Sequence, residues 1–109
     1  MKTMFLTVEN RKALPPLGTQ DGVGLEDHVV YVKFFSPYTG AGTWLAMEFD
    51  GEDTFFGAVD LGQGFELGYF SLKELESVKA RIGGRVMPFQ GIERDRHFRP
   101  MKYGEAKAA

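Results

Sequence analysis

The stretch Thr43–Asp50, TWLAMEFD, decides the fold class. Leu45, Met47 and Phe49 recur at every second position, leaving Trp44, Ala46, Glu48 and Asp50 for the opposite face, which is the period of a β-strand. Upstream, His28–Ser36 (HVVYVKFFS) is β-branched and aromatic throughout and reads as another strand. The two are joined by the turn-forming run Pro37–Gly42. Downstream, Gly51–Asp53 makes a tight turn into Thr54–Asp60, and Leu61–Phe65 leads to a fourth strand, Glu66–Phe70. Four strands with such short connections predict an antiparallel meander, because parallel strands need long crossovers.

Helical signals flank this sheet. Ser71 is placed to cap a helix, Glu74 follows three residues later, and Leu72, Leu75, Val78 and Ile82 form an apolar stripe that Gly83-Gly84 ends. Thr7 caps a shorter helix over Val8–Ala13, stopped by Pro15-Pro16, and the Gly-rich stretch Leu17–Glu26 reads as a loop. The run Arg85–Pro100 is expected as an extended, partly paired arm, and Tyr103–Ala109 as a loose tail. The expected class is therefore α+β: a four-stranded antiparallel meander, a short N-terminal helix, one well-capped C-terminal helix and an arm.

The 109 residues make a single domain, and its ten Phe let a small chain build an adequate core. Without Cys there is no disulfide, thiolate metal site or cysteine nucleophile. Met1–Leu6 is too short for the apolar region of a signal peptide. The longest uncharged run, Phe34–Met47, is too short and too interrupted to span a bilayer, so a cytoplasmic location away from membranes is expected. Charge is unevenly spread. Glu48, Asp50, Glu52, Asp53, Asp60 and Glu66 are the charged residues between Phe34 and Leu72, whereas Lys79, Arg81, Arg85, Arg94, Arg96, Arg99 and Lys102 dominate the segment that follows. Such asymmetry predicts pairing of the two regions across the fold, or a polar partner-binding surface.

Several segments in order carry a resemblance. Leu14-Pro15-Pro16-Leu17 follows the first helix, Tyr31-Val32-Lys33-Phe34-Phe35 opens the sheet, and Trp44 and Glu48 stand in the next strand. Then come Phe55-Phe56-Gly57, Glu66-Leu67-Gly68-Tyr69-Phe70-Ser71-Leu72 with Glu74-Leu75, and Glu93-Arg94-Asp95 with Phe98 and Pro100. Together, over roughly Leu6–Pro100, they resemble a bacterial family catalogued as a domain of unknown function (2958), often carried on plasmids, phages and integrated elements. The resemblance implies an accessory protein of mobile DNA and carries no catalytic residue or cofactor with it.

The candidate chemistry is modest. Alternation puts Trp44 and Glu48 on one face, which Tyr31, Lys33 and Phe35 share if the preceding strand pairs there; an aromatic and charged platform suits partner recognition. Arg94, Arg96 and Arg99, interleaved with His97 and Phe98, suit phosphate contacts, with Glu93 and Asp95 opposing. Glu48 with Asp50, and Asp60 with Glu66, are carboxylate pairs that could serve acid–base chemistry or a cation, but solvated turns are the default reading of them. His28 and His97 show no metal-ligand spacing, and Gly40-Ala41-Gly42 and Gly62-Gln63-Gly64 open no phosphate-cradling helix. No cofactor or metal is expected.

The leading expectation is a non-enzymatic interaction module that binds a protein through Tyr31, Lys33, Trp44, Glu48, Arg94, Arg96 and Arg99. A nucleic-acid-binding accessory protein is the alternative. A small hydrolase built from Glu66, Asp95 and His97 is a third, and it requires those three groups to converge. An exposed sheet edge is equally suited to dimerisation.

Overall fold

In the computed structural model, residues 5–38 and 42–109 are described; the turn expected over 37–42 and the segment 1–6 fall partly outside them. The elements in chain order are α1 (Val8–Ala13), a 3-10 turn (Leu25–Asp27), β1 (Val29–Val30), β2 (Val32–Phe35), β3 (Thr43–Phe49), β4 (Thr54–Asp60) and β5 (Phe65–Ser71). They continue with α2 (Leu72–Ser77), β6 (Lys79–Ile82), β7 (Arg85–Gln90), β8 (Glu93–Arg94), β9 (Met101–Lys102) and α3 (Tyr103–Ala106).

The expected meander is present as β2-β3-β4-β5, and the α+β class holds. The main sheet has five antiparallel strands rather than four. Part of the C-terminal arm, β8, returns to pair with β2, setting Phe34 opposite Arg94. One row therefore crosses the sheet as Arg94, Phe34, Trp44, Val59 and Glu66.

Register slips between Ala46 and Glu48, where a bulge lets two residues of β3 face one of β4. The alternation inverts at that point. Phe49 joins the face of Ala46 and Trp44, and Glu48 joins the face of Leu45, contrary to the simple period-two reading. Gly57 sits opposite the bulge, where a Cβ would run into the Leu45 carbonyl, so only glycine permits this approach.

Both faces of the sheet are covered over its central strands. On one, Phe5 stacks on Phe34 at 5.0 Å, Phe34 meets Phe55 edge-on at 5.6 Å, and Phe55 stacks on Phe49 at 4.5 Å and Phe70 at 5.1 Å. Leu14, Leu72, Leu75 and Ile92 close over this aromatic chain. On the other face, Val30, Leu45, Met47 and Ala58 pack against Tyr103 and Ala106.

Two C-terminal expectations are corrected. The helix after Ser71 is only six residues long, although Ser71 caps it as expected by accepting from the Glu74 amide at 3.2 Å. Val78 and Ile82, read as the end of its stripe, are exposed, and β6 begins at Lys79. Gly83 and Gly84 both have positive φ, 59° and 79°, and form the tip of the β6–β7 hairpin rather than a helix stop. The local reason is that a Gly-Gly pair suits a tight hairpin turn as well as a helix end, and pairing with β7 decides between them.

The segment expected as a loose tail forms α3. Tyr103 is only 6% exposed, its amide donates to the His28 carbonyl at 2.7 Å, and its ring meets Phe65 edge-on. Burial raises the Tyr103 phenol above its usual pKa. Tyr103→Ala is expected to cost about 3 kcal/mol, as large aromatic deletions in a core do. Urea denaturation of the variant measures this; a loss under ~0.5 kcal/mol, typical of surface sites, would mean the segment is not part of the core.

Candidate functional site

Of the acidic residues that suggested chemistry, Glu48, Asp50 and Asp60 hold the backbone instead. Glu48, 1% exposed, lies inside the protein and not on a partner-binding face as expected. Its Oε1 accepts from the Gly18 amide at 2.8 Å and its Oε2 from the Gln20 amide at 2.7 Å, which ties the 17–24 loop to the sheet. The Gln20 side chain completes the latch: its amide nitrogen donates to the carbonyls of Val29 and Met47, and its oxygen accepts from the Val29 amide at 2.6 Å. Burying a carboxylate is tolerable only when its lone pairs are met in this way.

Asp50 accepts from the amides of Glu52, Asp53 and Thr54, which hold its carboxyl below the usual carboxylate range and build the β3–β4 turn. Asp60 accepts from the amides of Gly62 and Gly64 in the next turn. Asp53 receives the Ser71 hydroxyl at 2.6 Å and the Lys73 amide at 2.8 Å, and the Ser71 bond leads in depressing its pKa. It therefore anchors the start of α2 from the turn that opens the neighbouring strand, β4.

Glu66, Asp95 and His97 do not converge. Glu66 lies on β5 at one edge, and Asp95 follows β8 at the other, its amide donating to the Lys33 carbonyl. Four strand spacings separate the edges, about 19 Å at ~4.8 Å per step. His97 donates its backbone amide to Asp95 Oδ1 at 2.9 Å, and His28 is buried with Nε2 donating to the Val23 carbonyl. No group of metal-ligating side chains occurs among the described residues, and no helix in them is long and apolar enough to cross a membrane.

The remaining expected partner-binding residues are also separated. Lys33 pairs with Leu45 and so faces away from Trp44, which pairs with Phe34. This corrects the shared platform; Tyr31 is half-buried and packs on the aromatic cluster. Arg94 occupies the same row as Trp44 with Phe34 between them, and its Nε is buried without a hydrogen-bond partner. Arg96 and Arg99 are exposed beyond β8. The expected pairing of acidic and basic halves is not found among the described residues, whose two ion pairs are Lys102–Asp27 and Lys107–Glu26.

Trp44, of these, lines a groove. The indole lies over Gly42, where a Cβ would come within 2.5 Å of the ring. Beside it a trough of about 530 Å³ is lined by Trp44, Val59, Leu61, Glu66, Gly68 and Phe70. Its origin is the row Gly68, Gly57, Ala46, which carries nothing larger than a methyl between the Trp44–Val59–Glu66 row and Phe70. The trough opens at β5, the edge strand, which pairs with β4 in unbroken register over seven positions. Leu67 and Tyr69, on the reverse face of β5, are 47% and 69% exposed. The pattern of Glu66–Phe70 marks a strand, but its edge position is set by pairing with residues distant in sequence.

The chain belongs to the family described as Protein of unknown function (DUF2958), whose model matches residues 5–103. No curated protein and no solved structure matches it.

Two expectations test the structural role of the carboxylates. Glu48→Ala should destabilise the fold by about 3 kcal/mol, since hydrogen bonds to charged groups contribute ~1.5–3 kcal/mol each, and Glu48→Gln, which keeps an acceptor, by less. Equal midpoints in urea for all three proteins would discard the latch. Because the folded pKa of Asp53 is depressed, its contribution is present above the unfolded value and lost as pH falls through the folded one. Asp53→Asn should therefore flatten the decline of stability below about pH 4, where carboxylates titrate. A decline as steep in the variant as in the wild type would show that Asp53 takes no part in it.

Proposed function

We propose that the chain is a protein-binding module without chemistry of its own, which captures an extended segment of a partner along the outer edge of β5. The observation that carries this reading is the coincidence of an unprotected edge strand with the Trp44 trough. An edge strand offers backbone donors and acceptors that only another strand matches fully. Natural edges are usually blunted by charged side chains, Pro or a bulge, and β5 (FELGYFS) has no Pro, no bulge and a single charge, Glu66.

The chemistry of the segment follows from the side chains that β5 presents. Leu67 and Tyr69 call for apolar residues on one face of the incoming strand. Glu66, the single charge on β5, calls for Lys or Arg on the other. Gly68 leaves the trough open for one large apolar side chain over Trp44. The occupation of Glu48, Asp50, Asp53 and Asp60 in holding amides supports a role in recognition rather than catalysis. A cytoplasmic accessory of bacterial mobile DNA is the setting in which this reading places it.

Panning a phage-displayed random peptide library against the intact chain tests the proposal. The selected peptides should alternate apolar residues with a basic one. Gly68→Val is the decisive variant, because φ at Gly68 is ordinary and nothing lies within 4 Å of an added Cβ. It should raise stability by ~0.5–1 kcal/mol, as replacing glycine within a strand does, while weakening peptide binding tenfold or more. Unchanged peptide affinity in Gly68→Val, or the absence of any selected peptide, would falsify the proposal. So would a wild-type dimer that becomes monomeric in Leu67→Lys/Tyr69→Lys, since the occupant of the edge would then be a second copy of this chain.

A further inference from the structure

The β6–β7 hairpin lies outside the β5 edge and its trough, and neither core cluster accounts for its tip. Between Lys79 and Gln90 it carries Lys79, Arg81 and Arg85 with no Asp or Glu. None of the three has an ion-pair partner among the described residues, and all are exposed. Only the base is fastened. Ala80 is buried, the Gly91 amide donates to the Val78 carbonyl at 2.8 Å, Phe89 meets Tyr38 at 5.3 Å, and Gln90 donates to the Glu76 carbonyl.

Beyond that base both faces of the ribbon are bare. Arg81 pairs with Val86, and Ile82 with Arg85, so these successive pairs point to opposite sides. Each side presents one arginine and one exposed aliphatic, Val86 being 57% exposed. A hairpin that served only to pack would bury one of these faces against the domain. At the tip, Gly83 and Gly84 carry no side chain, and nothing lies within 4 Å of where one would start.

We infer that the β6–β7 hairpin is a binding arm for double-stranded DNA, inserted tip-first into the major groove. A two-stranded ribbon fits a groove ~12 Å wide, whereas the major groove of A-form RNA is too narrow and deep to admit it. Cations on both faces match a slot whose two walls are lined with phosphates. The aliphatic beside each arginine can lie against sugars and thymine methyl groups. Glycines at the tip let the backbone approach the floor of the groove. This surface is separate from the β5 edge, so DNA binding and peptide binding stand or fall independently.

The test is fluorescence anisotropy of the full chain with a labelled B-form duplex of mixed sequence, across a salt series. Binding is expected to weaken with salt with a log–log slope near −2.7, the value for about three neutralised phosphates. Arg81→Glu/Arg85→Glu should abolish binding with an unchanged melting temperature, and Arg81→Lys/Arg85→Lys should largely restore it. Peptide capture at β5 should be unaffected by either pair. The inference is overturned by absence of duplex binding at low salt, or by binding that survives the charge reversal. Binding of an RNA duplex or of polyglutamate as tight as that of DNA overturns it as well, the last identifying an acidic protein as the ligand.

Discussion

The carboxylate of Glu48, turned inward by one extra residue in β3, is the constraint on which the rest of the molecule depends. A strand without the bulge would send Glu48 to the face of Trp44 and Ala46 and Phe49 to the face of Leu45. With it, Glu48 reaches the amides of Gly18 and Gln20, and Phe49 joins the stack that runs through Phe55 to Phe70. One backbone irregularity thus sets both the polar latch and the aromatic core. Gly57 makes it possible by leaving room beside the Leu45 carbonyl.

The same economy runs through the turns. Asp50, Asp60 and Asp53 each use a carboxylate to gather backbone amides, and Asp53 does so across the chain, joining the β3–β4 turn to the start of α2. Acidic residues are therefore concentrated in the meander because its tight connections expose amides that need acceptors. The basic residues that follow have no such task. Lys102 and Lys107 form exposed pairs with Asp27 and Glu26, which add little stability. Arg81 and Arg85 stand on a projecting hairpin instead. The charge asymmetry comes from two different uses of charge, one in holding backbone amides, the other mostly turned to solvent.

The meander also leaves its two edges unequal. Beside β2, the chain returns to add β8, and Ile92 is buried in the aromatic cluster next to it. Beside β5, nothing among the described residues adds a further strand. Helix α2 follows β5 directly and packs Leu72 and Leu75 onto the aromatic face near its end, leaving the Gly68 trough uncovered. The open edge is thus a product of topology: the chain spends its last strand on the opposite side.

Much was legible from the residues alone. The strands at 43–49, 54–60 and 65–71 follow from local alternation, β-branching and turn residues, and the caps Thr7 and Ser71 from single hydroxyls three residues before an amide. These features depend on neighbours in sequence, which is why sequence determined them. What sequence could not determine was anything fixed by residues distant along the chain. The pairing of β8 with β2 made a fifth strand, and the docking of Tyr103 beneath Phe65 made a tail into core. Pairing of Arg85–Gln90 with Lys79–Ile82 cut the expected helix short, although Gly83-Gly84 between two β-prone runs was an available hairpin signal. The bulge moved Glu48 out of the candidate site and Phe49 into the core, since register across a sheet is settled by the packing of both faces together. Trp44 could be picked out by type, but its place at the head of an open trough exists only because Gly68, Gly57 and Ala46, far apart in sequence, stand side by side in the sheet.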